Sequence, residues 1–515
     1  MTATRGVRGQ QPRRSGATGG AGSAPHPRQP GRAPQQGTSF ATLHRRLSDA
    51  MDARPLLDYT MIRTVVLVLA GLGVVMVTSS SMAASFAASA SVWATTVKQA
   101  VMVALGLFVF WLALKVSPER IRQLSNLIML VAVVLLALVL VPGIGTGKDE
   151  VGSQSWIVLG PLRLQPSELA RAAIAIWGAK VLANKDPRRP SKLDNGFLAF
   201  FGVATLCLLL IGAQGDYGMA VSFAIVVALI LIFAGIPLSL IGIAAGVGAL
   251  SLVVVFLSGG YRSNRFHVYF DALFGHFEET RTIAFQSHQG FLSLADGSLF
   301  GVGLGQSRAK WFYLPEARND FIFAVIGEEL GLWGGALVIV LFALLGVFGL
   351  RAARRAQNQF QALMAASLAA GVVSQAFINI GYVIGLLPVT GIQLPMLSAG
   401  GTSAVITLGS MGILASVARH EPDCVSAMQN YGRPAFDRIL GIGEPTAPRQ
   451  AQARAQAQAL RHRPAAPTRS GREARFGTPV TARAAAAPRR PVPYRPAERA
   501  PQPRRDIRRD IRRAG

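Results

Sequence analysis

Cysteine is almost absent from this chain: there are two in 515 residues, Cys207 inside an apolar stretch and Cys424 just beyond another. Neither a disulfide framework nor a cysteine-based zinc site can be built from them. Charge is scarce too, at 15% of residues, where a soluble domain carries roughly 25%. The N-terminus is rich in Gly, Pro, Gln and Arg and lacks the short apolar core of a signal peptide, so insertion would begin at the first long apolar segment. What is abundant is apolar surface, 51% of residues, with a mean hydropathy of +0.37. Such a composition belongs to a polytopic membrane protein.

The net charge of +26 suggests a nucleic-acid binder until it is mapped along the chain. Met1 to Thr60 holds nine Arg against three Asp, and His420 to Gly515 holds twenty Arg against eight acids, which leaves +26 − 6 − 12 = +8 for the apolar middle. Basic tails beside a hydrophobic body fit membrane-surface or partner-binding segments better than a DNA-binding domain. Residues 1–37 and 444–515 are poor in large apolar side chains and are predicted to be disordered. Between the N-terminal tail and the first span, Leu43, Leu47 and Met51 recur every fourth residue. An interfacial helix and a solvated linker both fit that spacing.

Apolar runs of spanning length follow at about 63–82, 97–116, 124–142, 167–183, 196–212, 217–235, 238–257, 321–349, 361–386 and 402–418. The fold class is therefore an all-α integral membrane protein of about ten transmembrane helices, its membrane domain covering residues 61–419 between tails at 1–60 and 420–515. Ten spans place both tails on one side. The Lys/Arg-rich connections 115–122, 180–192 and 351–355 fall on that same side, which the positive-inside rule makes cytoplasmic. The opposite side receives one long connection, Ser258 to Asp320 between helices 7 and 8, with six Lys/Arg and six Asp/Glu. Its first part sets Phe266, Phe270, Phe274 and Phe277 at helical spacing, as expected for a helix on the outer membrane surface or one packed against its neighbours.

Ionisable residues beside or within spans point to function because burying them in lipid is costly. Glu168 and Arg171 share one helix face at i and i+3 and can pair. Asp216, beside Gln214, stands at the start of the sixth span. Asp320, Glu328 and Glu329 open the eighth, with Glu328 about 12 Å deeper than Asp320. Trp156 precedes the fourth. Acids, cations and an aromatic gathered at the outer face suit an amphiphilic substrate with a polar head outside and a tail in lipid. Glu168, Arg171 and Asp216 also fit a second reading, as ion pairs that stitch helices together.

Four blocks occur in an order that resembles the SEDS family of peptidoglycan glycosyltransferases. They are SWIVLGPLRLQPSELAR (155–171), QGDYG (214–218), FQSHQGFLSLADGSLFGVGLGQSRAKWFYLPEARNDFIFAVIGEELG (285–331) and NIGYVIGLLPVTGIQLPMLSAGGTS (379–403). The combination of YLPEARNDFIFA with LPVTGIQLPMLSAGGTS looks like the FtsW-type division branch rather than the RodA-type elongation branch. Arg171 departs from the Lys common in the family, and Gln154 and Ser155 replace a polar pair that commonly includes Arg. By contrast, the triplet Gly301, Gly303 and Gly305 has no strand before it and by itself is a poor phosphate-loop signal.

The resemblance implies polymerisation of lipid II, an undecaprenyl-pyrophosphate disaccharide-pentapeptide, into septal glycan strands, with inversion at the anomeric carbon. Asp320 is then the base, or the ligand of an activating cation. Arg171, Arg308, Lys310 and Arg318 are phosphate partners, and Trp156, Asp216 and Gln286 further substrate contacts. Glu168 would orient Arg171 or share a divalent cation, Mg or Mn, with Asp320; no organic cofactor is expected. Solvated loop charge is an equal reading for Arg308, Lys310 and Arg318. The implied partners are a class B penicillin-binding transpeptidase, other division proteins and FtsZ through a cytoplasmic tail, in the cell membrane at the division septum, with no nucleic acid. A lipid II flippase and a non-catalytic division scaffold are the rival functions.

Overall fold

A computed structural model describes residues 46, 49–148, 152–160, 162–185, 196–243, 246, 283–308, 314 and 316–445. Ten helices and one small sheet position the site: α1 (Leu57–Ser89), α2 (Ala94–Lys115), α3 (Pro118–Leu138), β1 (Gly145–Thr146), β2 (Trp156–Leu159), β3 (Leu162–Leu164), α4 (Pro166–Leu182), α5 (Phe197–Ala213), α6 (Tyr217–Phe233), α7 (Ile283–Gly297), α8 (Ile322–Arg355), α9 (Gln359–Val383) and α10 (Thr402–Arg419). Two short helices follow, α11 (Pro422–Tyr431) and α12 (Ala435–Ile439).

The chain is a helical, multi-pass membrane protein. Among the described residues α1, α2, α3, α8, α9 and α10 are long and apolar enough to cross a membrane, and α5 and α6 are shorter apolar helices. They fall on eight of the ten expected spans, and α4 falls on a ninth. The expected seventh span, 238–257, lies mostly outside the described residues, as do the phenylalanine stripe at 266–277, Leu43, Leu47, residues 1–45 and residues 446–515.

Local chemistry sets the helix starts. Pro118 and Pro166 open α3 and α4, where a missing N–H is harmless. Asp216 caps α6 by accepting from Met219 N at 3.1 Å, and Asn358 caps α9 by accepting from Gln361 N at 3.0 Å. Packing then depends on small residues that let backbones approach. A Cβ on Gly412 of α10 would sit 2.7 Å from the Phe110 carbonyl of α2, and one on Gly349 of α8 would sit 2.5 Å from Ala369 of α9.

Two features go beyond the sequence reading. Part of the long connection is a re-entrant element: Gly290 of α7 lies against the Phe321 ring and Gly297 against the Gly327 carbonyl, so α7 runs parallel to the first turns of α8. Its end is level with a residue about 10 Å below Asp320. The chain then turns through Ser298 to Gly303, where Gly301 has φ +78° and Val302 N bonds to Glu328 O at 2.9 Å. The second feature is the antiparallel sheet β1-β2-β3, formed before α4 in a stretch read from sequence only as an external loop.

Candidate active site

Asp320 stands just before α8, next to its N-cap residue. The N-cap residue of α8 is Phe321, which makes no side-chain cap bond, so Asp320 is not the capping residue. Its backbone is pinned from two sides. Asn379 Nδ2 and Tyr382 Oη of α9 both donate to its carbonyl oxygen, at 2.9 and 3.0 Å. One residue earlier, Ser398 Oγ donates to Asn319 O at 2.6 Å, and Ala399 N donates to Arg318 O at 3.0 Å. The 316–320 turn therefore sits on the connection between α9 and α10, leaving Asp320 half-buried and Arg318 exposed.

That connection also reaches α6. A Cβ on Gly218 would lie 2.2 Å from Thr390 O, so glycine is required for the α6 start to meet the loop that holds Asp320. Beside it, Asp216 accepts from Gln165 Nε2 at 3.0 Å. Burial pushes the Asp216 carboxyl above the usual carboxylate range, against the lowering effect of these bonds. Gln154 N bonds to Gln214 O at 2.9 Å and ties the sheet to the same corner. Trp156 is half-buried in β2, and Thr402 at the start of α10 donates to Arg163 O of β3 at 2.6 Å.

Glu168 and Arg171 form an ion pair, Oε2 to Nη2 at 2.5 Å, with both side chains buried. Arg171 Nη1 also donates to Ser222 Oγ of α6 at 3.0 Å. The pair borders a cavity of about 20 Å³ lined with Ser367 of α9 and with Thr407 and Ser410 of α10. That is room for one water.

The remaining expected residues lie as follows. Gln286 is half-buried on α7. Arg308 is exposed, but its backbone N donates to Glu328 Oε1 at 2.6 Å. Lys310 lies outside the described residues. The sequence reading did not single out Asn379, Tyr382 and Ser398, which fix the Asp320 backbone. Their only signal was membership in the 379–403 block, because an amide or hydroxyl inside an apolar run does not name its partner.

Among the described residues no group of three or more His, Cys, Asp or Glu is placed to hold a metal. Glu168, expected to share a cation with Asp320, is instead engaged by Arg171.

The sequence profile of a cell cycle protein family, comprising FtsW, RodA and SpoVE, matches residues 59–423. A probable peptidoglycan glycosyltransferase FtsW of Mycobacterium tuberculosis is 40% identical over 392 residues, which is 76% of this chain and 74% of that protein. In fold, the chain is similar to one in a peptidoglycan synthase complex described as coordinating polymerization and crosslinking, with a TM-score of 0.55 and 25% identity over 70% of this chain and 97% of that one. It is also similar to the rod shape determining protein RodA of Thermus thermophilus, with a TM-score of 0.51 and 25% identity over 70% of this chain and 96% of that one.

Proposed function

The chain belongs to the FtsW, RodA and SpoVE family of cell cycle proteins, and from that premise we propose that it polymerises lipid II into glycan strands, with Asp320 at the reacting hydroxyl. It is a peptidoglycan glycosyltransferase of the FtsW kind, the activity that names its 40%-identical relatives. The observation that supports the assignment of Asp320 is its placement: a carboxylate at the mouth of a membrane helix, its backbone held by Asn379 and Tyr382 and its side chain not engaged as the helix cap.

The reaction joins the acceptor's sugar hydroxyl to the anomeric carbon of the donor and expels undecaprenyl pyrophosphate, inverting that carbon. Asp320 accepts the hydroxyl proton as the new C–O bond forms, and the electron pair of the breaking bond leaves on the pyrophosphate. General-base help of this kind is worth about 10²- to 10⁴-fold. Arg308 and Arg318 meet the phosphates from the loop side, where guanidinium groups favour bidentate contact, and Lys310 is kept as a third cation from the sequence alone. The Glu168–Arg171 pair and Asp216 shape the polar corner beneath the head group. A divalent cation, Mg or Mn, would be shared between Asp320 and the pyrophosphate, and would neutralise charge on the leaving group.

The working partner is a class B penicillin-binding transpeptidase at the septum, with both termini cytoplasmic. Purified full-length chain, with that partner, incubated with labelled lipid II tests the reading. Glycan strands that fail to form on mutation of Asp320 support it. Movement of lipid II across liposomes without strand formation would mean a flippase, and neither activity would mean a scaffold.

A further inference from the structure

Glu328 and Glu329 are each 1% exposed, at a depth where an unpartnered carboxylate is costly. Both turn toward the re-entrant segment. Glu328 accepts from Ser307 Oγ at 2.7 Å and from Arg308 N at 2.6 Å. Glu329 accepts from Ser79 Oγ of α1 at 2.6 Å and from Ser307 N at 3.4 Å. Ser307 is itself fully buried between them.

The backbone reinforces this clasp. Gly331 has φ +67°, which interrupts α8, and Leu332 N bonds instead to Ser298 O at 2.9 Å. The Glu328 and Glu329 carbonyls receive Val302 N and Gly303 N, at 2.9 and 3.0 Å. A Cβ on Gly301 would fall 2.2 Å from Glu329 O, so this glycine serves close backbone packing. Non-helical chain at membrane depth is tolerated when its polar groups are satisfied by protein in this way.

We propose that Glu328, backed by Glu329, is a positioning residue for glycosyl transfer: it fixes the backbone at Arg308, so that Arg308 meets the substrate in one arrangement. This rests on the reading of Asp320 as the catalytic group. Both donors to Glu328 come from consecutive residues, so one side chain sets the register of the strap. The role belongs to the acceptor geometry rather than to the charge. A glutamine can accept from Arg308 N–H through its carbonyl oxygen and donate its amide to Ser307 Oγ.

The test uses the full chain in nanodiscs with its partner transpeptidase, and follows amide hydrogen exchange over residues 298–308 together with kcat and KM for lipid II. Glu328→Ala should raise exchange there, and lower kcat, by about tenfold to a hundredfold, the equivalent of losing its two hydrogen bonds, while exchange in α9 and α10 stays native. Glu328→Gln should restore both readouts to near native. Ser307→Ala, which removes one donor and buries no new charge, should fall between them and serves if the alanine variant does not fold. Unchanged exchange or unchanged kcat in Glu328→Ala, or a glutamine variant as impaired as alanine, would overturn the proposal. A native chain that makes no glycan would sink the catalytic reading and the positioning role with it, and exchange would still report whether the clasp exists.

Discussion

Tyr382 directs its phenolic hydroxyl at the carbonyl oxygen of Asp320, 3.0 Å away and 62 positions earlier in the chain. The same hydroxyl lies 2.7 Å from Ile392 O. The side chain is buried, and Asn379 Nδ2 reaches the same two carbonyls at 2.9 and 2.7 Å, so removing the hydroxyl takes one donor from the turn that carries Asp320 without stranding either oxygen. Tyr382→Phe should cost about 0.5–1.5 kcal/mol of stability and lower kcat by less than loss of the Asp320 carboxylate does. Thermal unfolding and lipid II turnover, measured on the same preparation, check both halves.

Asp320→Asn should leave folding and membrane insertion intact and reduce glycan synthesis by about 10²- to 10⁴-fold. Asparagine preserves shape and hydrogen-bonding capacity but is not a base. The α8 cap does not depend on it, since Phe321 occupies the N-cap. Native-like polymerisation by the Asn variant at equal protein concentration would move the catalytic role to another carboxylate, with Asp216 and Glu168 first in line.

Arg171 carries two obligations, the Glu168 carboxylate and the Ser222 hydroxyl. Arg171→Ala leaves a buried carboxylate unpaired and should destabilise the protein by about 3–5 kcal/mol. Arg171→Lys keeps the charge pair, and its milder effect should trace to losing the second contact. The melting temperatures should rank Arg above Lys above Ala; equal values for Lys and Ala would show that charge pairing is not what stabilises this corner.

Below the bundle, Glu421 follows α10 and accepts from Arg355 Nε at 3.1 Å. Burial, together with the nearby Asp58 charge, outweighs Arg355 and raises its carboxyl to about 8. The folded state then holds this proton more tightly than the unfolded chain does. Its stabilising contribution is complete below the ordinary carboxylate range and is lost as pH rises toward 8. The melting temperature of the native protein should therefore fall as pH rises from about 5 to 8, and Glu421→Gln should flatten that slope. An identical slope in the variant would rule Glu421 out as its source.

Orientation and tail can be tested together. Cysteines at Lys185 and Arg354 should be shielded from an impermeant thiol reagent in intact cells, and one at exposed Lys148 should be labelled. Truncation after residue 447 should leave polymerisation in detergent near native. The cut belongs there because Ile442 is buried and Arg419 bonds to Gly443 O. A cut at 444 would fall at the edge of that packing. Loss of turnover by a monodisperse truncated protein would place the remaining tail in the catalytic body.

The sequence alone determined the membrane class, nine of the helices and the family. Lipid imposes runs of apolar residues about 20 long, and a run of that kind is legible without knowing its neighbours. It also showed that Glu168 and Arg171 can pair, because i and i+3 share a helix face whatever surrounds them. Only the tertiary structure decided that Asn379, Tyr382 and Ser398 hold Asp320, that Gly301 and Gly331 admit a re-entrant strap, and that Glu328 and Glu329 clasp it. Those contacts join positions 20 to 250 residues apart, and a polar side chain in a one-dimensional string carries no information about which distant donor will satisfy it. That choice is made when helices pack and every buried polar group must find a partner.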